Sequence, residues 1–216
     1  MPPDMMDLIE KKDLAGIRAA LSADPSLANK GIPFDDKNPT LCHPLHRICD
    51  RVFEGRYSDE DGVEIARVFL EFGADVNGFE FELRKDTPLI AAASLHADKV
   101  GLLYLEHGAD VRHQGCHGGT ALHWAAWTGR DTLVRSLIDA GSDIHLKDLD
   151  FDSTPLFWAI HGYVHGGDEN RHQQLACARM LIAAGADIGA PNAEGATIRD
   201  LLGENSAEWK ILFQPD

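Results

Sequence analysis

The chain carries eleven histidines and four cysteines in 216 residues, and these are the first places to look for chemistry. Read as a string, Cys42-His43-x-x-His46-x-x-Cys49 has the look of a metal-ligand cluster. His161 and His165 are four residues apart, a spacing that lets two imidazoles on one helical turn share a zinc ion, with His172 as a third ligand further on. Gly162, Gly166 and Gly167 argue against a rigid helix in that stretch. His113-x-x-Cys116-His117 is a third grouping, and hydrogen-bonded or solvated imidazoles are the competing reading for all three. Catalytic patterns are lacking: there is no Gly-x-Ser-x-Gly elbow, no phosphate-cradling glycine loop ending in Lys-Ser/Thr, and no His-Glu-x-x-His. The expectation is a protein that is not an enzyme and needs no cofactor.

Charge narrows the partners. Thirty-five acidic side chains against twenty basic ones give a formal net charge of −15. Such a surface repels nucleic-acid backbones and anionic membranes, so neither is expected as a partner, and a basic protein or peptide fits better. Cys42, Cys49, Cys116 and Cys177 are scattered without a CxxC pair, which reads as reduced thiols in the cytoplasm. The N-terminal Met1-Pro-Pro-Asp-Met-Met-Asp lacks a cationic segment followed by an apolar run, and no stretch is long enough to span a bilayer.

The elements that must position these residues are legible from Gly118 to Asp143. Thr120 stands where a helix N-cap belongs, Leu122, Ala125 and Ala126 form an apolar stripe at helical spacing, and Gly129 can end the helix. Leu133, Val134, Leu137 and Ile138 repeat the pattern on a second helix that stops at Gly141. Two short helices cannot bury both faces alone, so neighbours are required. Thr87-Pro88-Leu89, Thr154-Pro155-Leu156, Thr197-Ile198-Arg199 and His43-Pro44-Leu45-His46 open further copies. Gly73-Ala74-Asp75, Gly108-Ala109-Asp110, Gly141-Ser142-Asp143 and Gly185-Ala186-Asp187 close them.

Thr87 and Thr120 are 33 residues apart, and Thr120 and Thr154 are 34 apart. Pattern and period together resemble the ankyrin repeat, with its Thr-Pro-Leu-His-x-Ala opening. The resemblance implies an all-α fold: an ankyrin-repeat solenoid of stacked helix-turn-helix units with β-turn fingers and two enlarged repeats. As one domain over 1–216 it divides into an N-terminal cap at 4–32, a repeat at 41–78 with an insertion at 52–61, and repeats at 86–113 and 114–147. A repeat at 148–190 with an insertion near 163–173 and a C-terminal cap at 191–216 complete it. The two insertions are expected to project as rims from one edge, and capped ends suggest a monomer.

Placed on such repeats, the Cys42–Cys49 cluster disperses. His43 becomes an N-cap, His46 the signature histidine and Cys49 a substitute for a buried alanine. The acidic run Asp59-Glu60-Asp61 becomes a solvated helix start. The resemblance also implies a non-enzymatic scaffold that binds a protein or peptide on a concave palm made by the first helices and the fingers. Carried onto this chain, Trp127, His161, His117, Phe151 and Tyr163 are central to that site, with Asp50, Arg47 and Arg84 at its edge. Trp124 and Trp158 are expected in the core. A pocket for a small ligand or zinc, built from His161, His165 and His172 with Tyr163, is the alternative.

Overall fold

The computed structural model describes residues 4–34, 40–78, 85–167, 170–203 and 206–213. Contacts gather the chain into two compact units, Met1–Phe81 with Thr87–Asp110, and Glu82–Asp86 with Val111–Asp216. Arg84, expected at the edge of the palm, lies outside the described residues.

The first unit holds α1 (Met5–Glu10), α2 (Leu14–Ala23), α3 (Pro44–Phe53), α4 (Asp59–Glu71), α5 (Pro88–Ser94) and α6 (Asp98–Glu106). Helix α3 packs on α5 in one layer, while α2, α4 and α6 succeed one another in the second. A short antiparallel ribbon sets Ile32 opposite Cys42 and Pro33 opposite Leu41. The second unit holds α7 (Ala121–Thr128), α8 (Asp131–Asp139), α9 (Pro155–His165), α10 (Arg171–Ala183), α11 (Ile198–Leu202) and α12 (Ala207–Leu212). Here α7, α9 and α11 form one layer and α8, α10 and α12 the other. Among the described residues no helix is long and apolar enough to cross a membrane.

The helices start where the sequence marks them. Thr87 and Thr154 accept the N–H groups of Ile90 and Phe157 through their hydroxyls, and each is followed by proline at the first helical position. His43 does the same with its ring, its Nδ1 accepting the Leu45 N–H at 3.2 Å, so the expected N-cap is found. The apolar stripes then close each unit. Leu45, Ile48, Leu89 and Ile90 fill the first, and Leu122, Ala125, Ala126, Leu133, Val134 and Leu156 the second. Burying such side chains contributes roughly 1.5–3 kcal/mol for each large one.

The enlarged repeats spend most of their extra residues on longer helices. Helices α3 and α4 run 10 and 13 residues and α9 and α10 run 11 and 13, against 7 and 9 for α5 and α6 and 8 and 9 for α7 and α8. The acidic run that begins α4 is also not simply solvated. Ala97 cannot cap α6, and the Asp59 carboxylate accepts the Lys99 and Val100 N–H groups at 2.6 and 3.1 Å instead. One repeat thus caps a helix of the next.

Arg47 overturns its expected place at the palm edge. It is 1% exposed, pairs with Asp50, donates to the Ile32 and Thr40 carbonyls, and stacks over Phe34. Arg51 is equally buried and donates to the Phe34 carbonyl at 2.6 Å and to Glu54 at 2.7 Å. The two guanidiniums satisfy the irregular backbone before α3, and Asp50 neutralises Arg47 there.

Candidate functional site

The second unit carries the site, and its fingers set the frame. The Leu149 and Asp150 N–H groups both donate to the His117 carbonyl at 3.2 Å, and the Ala193 N–H donates to the Phe151 carbonyl at 2.8 Å. Three successive fingers are therefore bonded in series. To make that turn His117 adopts φ 58°, a left-handed conformation uncommon for a residue with a Cβ. Gly118 comes next at φ 71°, where a Cβ would run into Leu149.

Asp148 shapes the second finger. Its Oδ1 accepts the Asp150 and Phe151 N–H groups at 3.0 and 2.6 Å. Its Oδ2 accepts the Ser153 N–H at 3.0 Å and the Trp158 indole N–H at 2.9 Å. A buried carboxylate with four donors is strongly held, because each bond to a charged acceptor is worth more than a neutral one. Through it the finger is tied to α9.

His123 ties the same finger to α7. Its Nδ1 takes the Thr120 N–H at 3.1 Å and lies 2.9 Å from the Thr120 hydroxyl, while Nε2 lies 3.2 Å from the Ser153 carbonyl. Nε2 therefore carries the proton. Burial pushes the His123 pKa down to about 4 against a smaller opposing pull from Asp148, so the ring is neutral at ordinary pH.

Over this base lies an open trough of about 560 Å³ between the fingers and the faces of α7 and α9. Trp158, 7% exposed, forms one side. Trp124, Trp127 and Phe151 stand at 79°, 75° and 60° to its plane, with ring centroids 5.1, 6.2 and 6.4 Å away. His161 stacks on Trp127 at 5.1 Å, and His117 lies 5.4 Å from Phe151 with its Nδ1 3.0 Å from the Asp150 carboxylate. Burial, and then the adjacent His165, lower the His161 pKa. Phe151 is 48% exposed, so the aromatic surface opens to solvent.

Close approach of α9 to α7 makes the Trp127–His161 stack. Gly162 allows it, since a Cβ there would lie 2.5 Å from the Trp127 carbonyl oxygen. Gln174 of α10 donates to the same carbonyl at 2.6 Å. The glycine that argued against a helix is the residue that lets α9 continue to His165 against α7.

Trp127, His161, His117 and Phe151 thus line one trough, together with Trp124 and Trp158, which the sequence assigned to the core. Tyr163 does not join them. Two residues beyond His161 it faces elsewhere, bonding Glu208 at 3.2 Å with Arg171 over its ring, beside His172 in a separate trough. His161 and His165 do meet, their rings 4.4 Å apart. His172 is not with them, and among the described residues no three His, Cys, Asp or Glu side chains are grouped to hold a metal ion. As lining residues, sequence reasoning missed Trp124, Trp158 and Phe157, and Asn192 and Glu194 of the third finger. The signal was the run of aromatic residues at matching positions of two consecutive repeats, Trp124 with Trp158.

Models of known families match two segments, one described as ankyrin repeats in three copies over residues 57–148 and one as an ankyrin repeat over 151–193. The chain is similar to the B-cell lymphoma 3 protein homolog of Mus musculus, 38% identical over 96 residues that make up 44% of this chain and 21% of that one. It is 39% identical over 99 residues to protein phosphatase 1 regulatory subunit 12A of Mus musculus, 46% of this chain and 8% of the relative. With the E3 ubiquitin-protein ligase KEG of Arabidopsis thaliana it shares 25% identity over 151 residues, 70% of this chain and 9% of that one. The matches span about a fifth or less of these relatives' own length. Helix pairs opened by Thr-Pro-Leu, glycine-closed ends and both family models agree: the chain belongs to the ankyrin repeat family.

Proposed function

We propose that this protein binds a protein partner by taking one side chain of an extended segment into the trough between the fingers and the faces of α7 and α9. Ankyrin repeats are protein-interaction modules, and here the supporting observation is the half-open wall of Trp127, His161 and Phe151. Interfaces concentrate their energy in aromatic residues that a partner finishes burying. The net charge of −15 favours a basic partner. The protein acts without a catalytic step of its own, in the cytoplasm, as a monomer. The four cysteines, all unbridged, suit that compartment.

The test is a selection of displayed random peptides against wild type and Trp127→Leu, with both proteins checked for helical circular dichroism. Peptides recovered only by wild type, and losing at least about tenfold in affinity on Trp127→Leu, are the expected outcome. Peptides that ignore Trp127 would sink the assignment.

A further inference from the structure

We propose that the aromatic trough of the second unit is a receptor for an alkylated ammonium group, presented as a methylated lysine side chain of the partner segment. This rests on the reading that a peptide occupies the trough, and it names the side chain the trough selects.

Three observations carry it. First, the open trough is lined by rings of several orientations. Trp124, Trp127 and Phe151 stand steeply to Trp158, so a guest meets ring surfaces from several directions. A cation over the face of a tryptophan is held by the ring quadrupole, and several faces add. Second, the permanent charges in the lining are the carboxylates of Asp150 and Glu194, and among the described residues no lysine or arginine lines the trough. Burial, and then His165, lower the His161 pKa and so favour the neutral ring, which adds aromatic surface beside Trp127. Third, the acceptors beneath the rings are already used. Asp148 takes four N–H donors and the Ser153 carbonyl lies against His123.

That third point sets the chemistry of the guest. An unmodified ammonium brings three N–H donors and a guanidinium five; Asp150, already held by His117, and the exposed Glu194 can take only some of them, and the rest lose water against the rings. A trimethylated ammonium keeps the charge and has no donor to satisfy. A neutral apolar group satisfies the rings by contact alone and gains nothing from the carboxylates.

The experiment is calorimetric titration of the full chain with one short peptide in three forms: a central trimethyl-lysine, the unmodified lysine, and the neutral tert-butyl isostere with carbon in place of nitrogen. The expected result is a dissociation constant for the trimethyl-lysine form at least about tenfold below both others. Phe151→Leu, at an exposed site, and Trp127→Leu should each weaken that form about tenfold and change the isostere far less. Equal binding of the isostere would overturn the proposal, as would equal binding of unmodified lysine or no binding of any form at millimolar concentration. Tetramethylammonium chloride binding as tightly as the peptide would overturn it too, since the trough would then serve a free small cation. Should the displayed-peptide selection return Trp127-dependent sequences lacking any cationic side chain, the partner reading stands and this inference fails. Displayed peptides carry no methylated lysine, so should the selection return no Trp127-dependent sequence, the partner reading fails only when the trimethyl-lysine titration also shows no Trp127-dependent binding.

Discussion

His123 and His43 are buried imidazoles held neutral by their surroundings, and each makes stability depend on pH. Burial lowers both pKa values to about 4, with Asp75 opposing at His43 and Asp148 at His123. In an unfolded chain a histidine titrates near 6.5. Between those values the unfolded state binds more protons, so stability is fully present above about pH 6.5, drains as pH falls toward 4, and then levels. Each site accounts for about 3 kcal/mol over that window. Urea unfolding at several pH values checks this, and His123→Gln, which keeps a donor for the Ser153 carbonyl, should flatten the slope by one site's share. An unchanged slope would mean that His123 does not titrate on unfolding. Arg47 gives a second residue-scale outcome. Arg47→Ala strands the half-buried Asp50 and two backbone carbonyls, at a cost of about 3–5 kcal/mol. Denaturant midpoints should show that loss while peptide binding by the folded fraction stays unchanged. The sequence placed Arg47 at a palm edge because repeat register alone says which way it points. The segment that covers it, residues 32–34, belongs to no repeat and left no periodic trace.

Between neighbouring helices the fit depends on single atoms. Gly162→Ala puts a methyl group 2.5 Å from the Trp127 carbonyl, so α9 must move off α7. The expected cost is about 1–3 kcal/mol of stability, with a changed tryptophan near-ultraviolet circular dichroism signal as the Trp127–His161 stack opens. Asp59→Ala removes the cap of α6, and a loss of about 1 kcal/mol is expected, partly restored in Asp59→Asn. Equal stabilities of the three proteins would show that water caps α6 as well. At this scale the sequence was most legible. Openers, closers and the 33-residue period set out the helix pairs, and the repeat register grouped Trp127, His161, His117 and Phe151 correctly. It failed where helix lengths left the period. One extra turn in α9 keeps a true helix through His165, so Tyr163, two residues and about 200° past His161, points to the opposite side. Trp158 is buried, as the packing reading of its slot expected, and what that reading left out is that its ring and that of Trp124 also line the trough. Phe151 and His117 reach across from the fingers, and that distance in sequence hides the trough.

For the molecule as a whole, charge acts before contact. On the proposed reading, a net charge of −15 draws the basic partner segment from beyond the reach of any single carboxylate. Stopped-flow association of a basic peptide should slow severalfold as ionic strength rises from about 0.05 to 0.5 M, while dissociation changes little. An association rate indifferent to salt would remove the charge from the account. Once contact is made, Asp148 takes over. Four donors converge on one buried carboxylate, which fixes the second finger and Trp158 before any guest arrives. A receptor that need not order itself does not spend binding energy on its own loops. Variants of the guest will therefore differ in how long they stay and hardly at all in how fast they arrive, and residence time becomes the quantity that selection on this surface can tune.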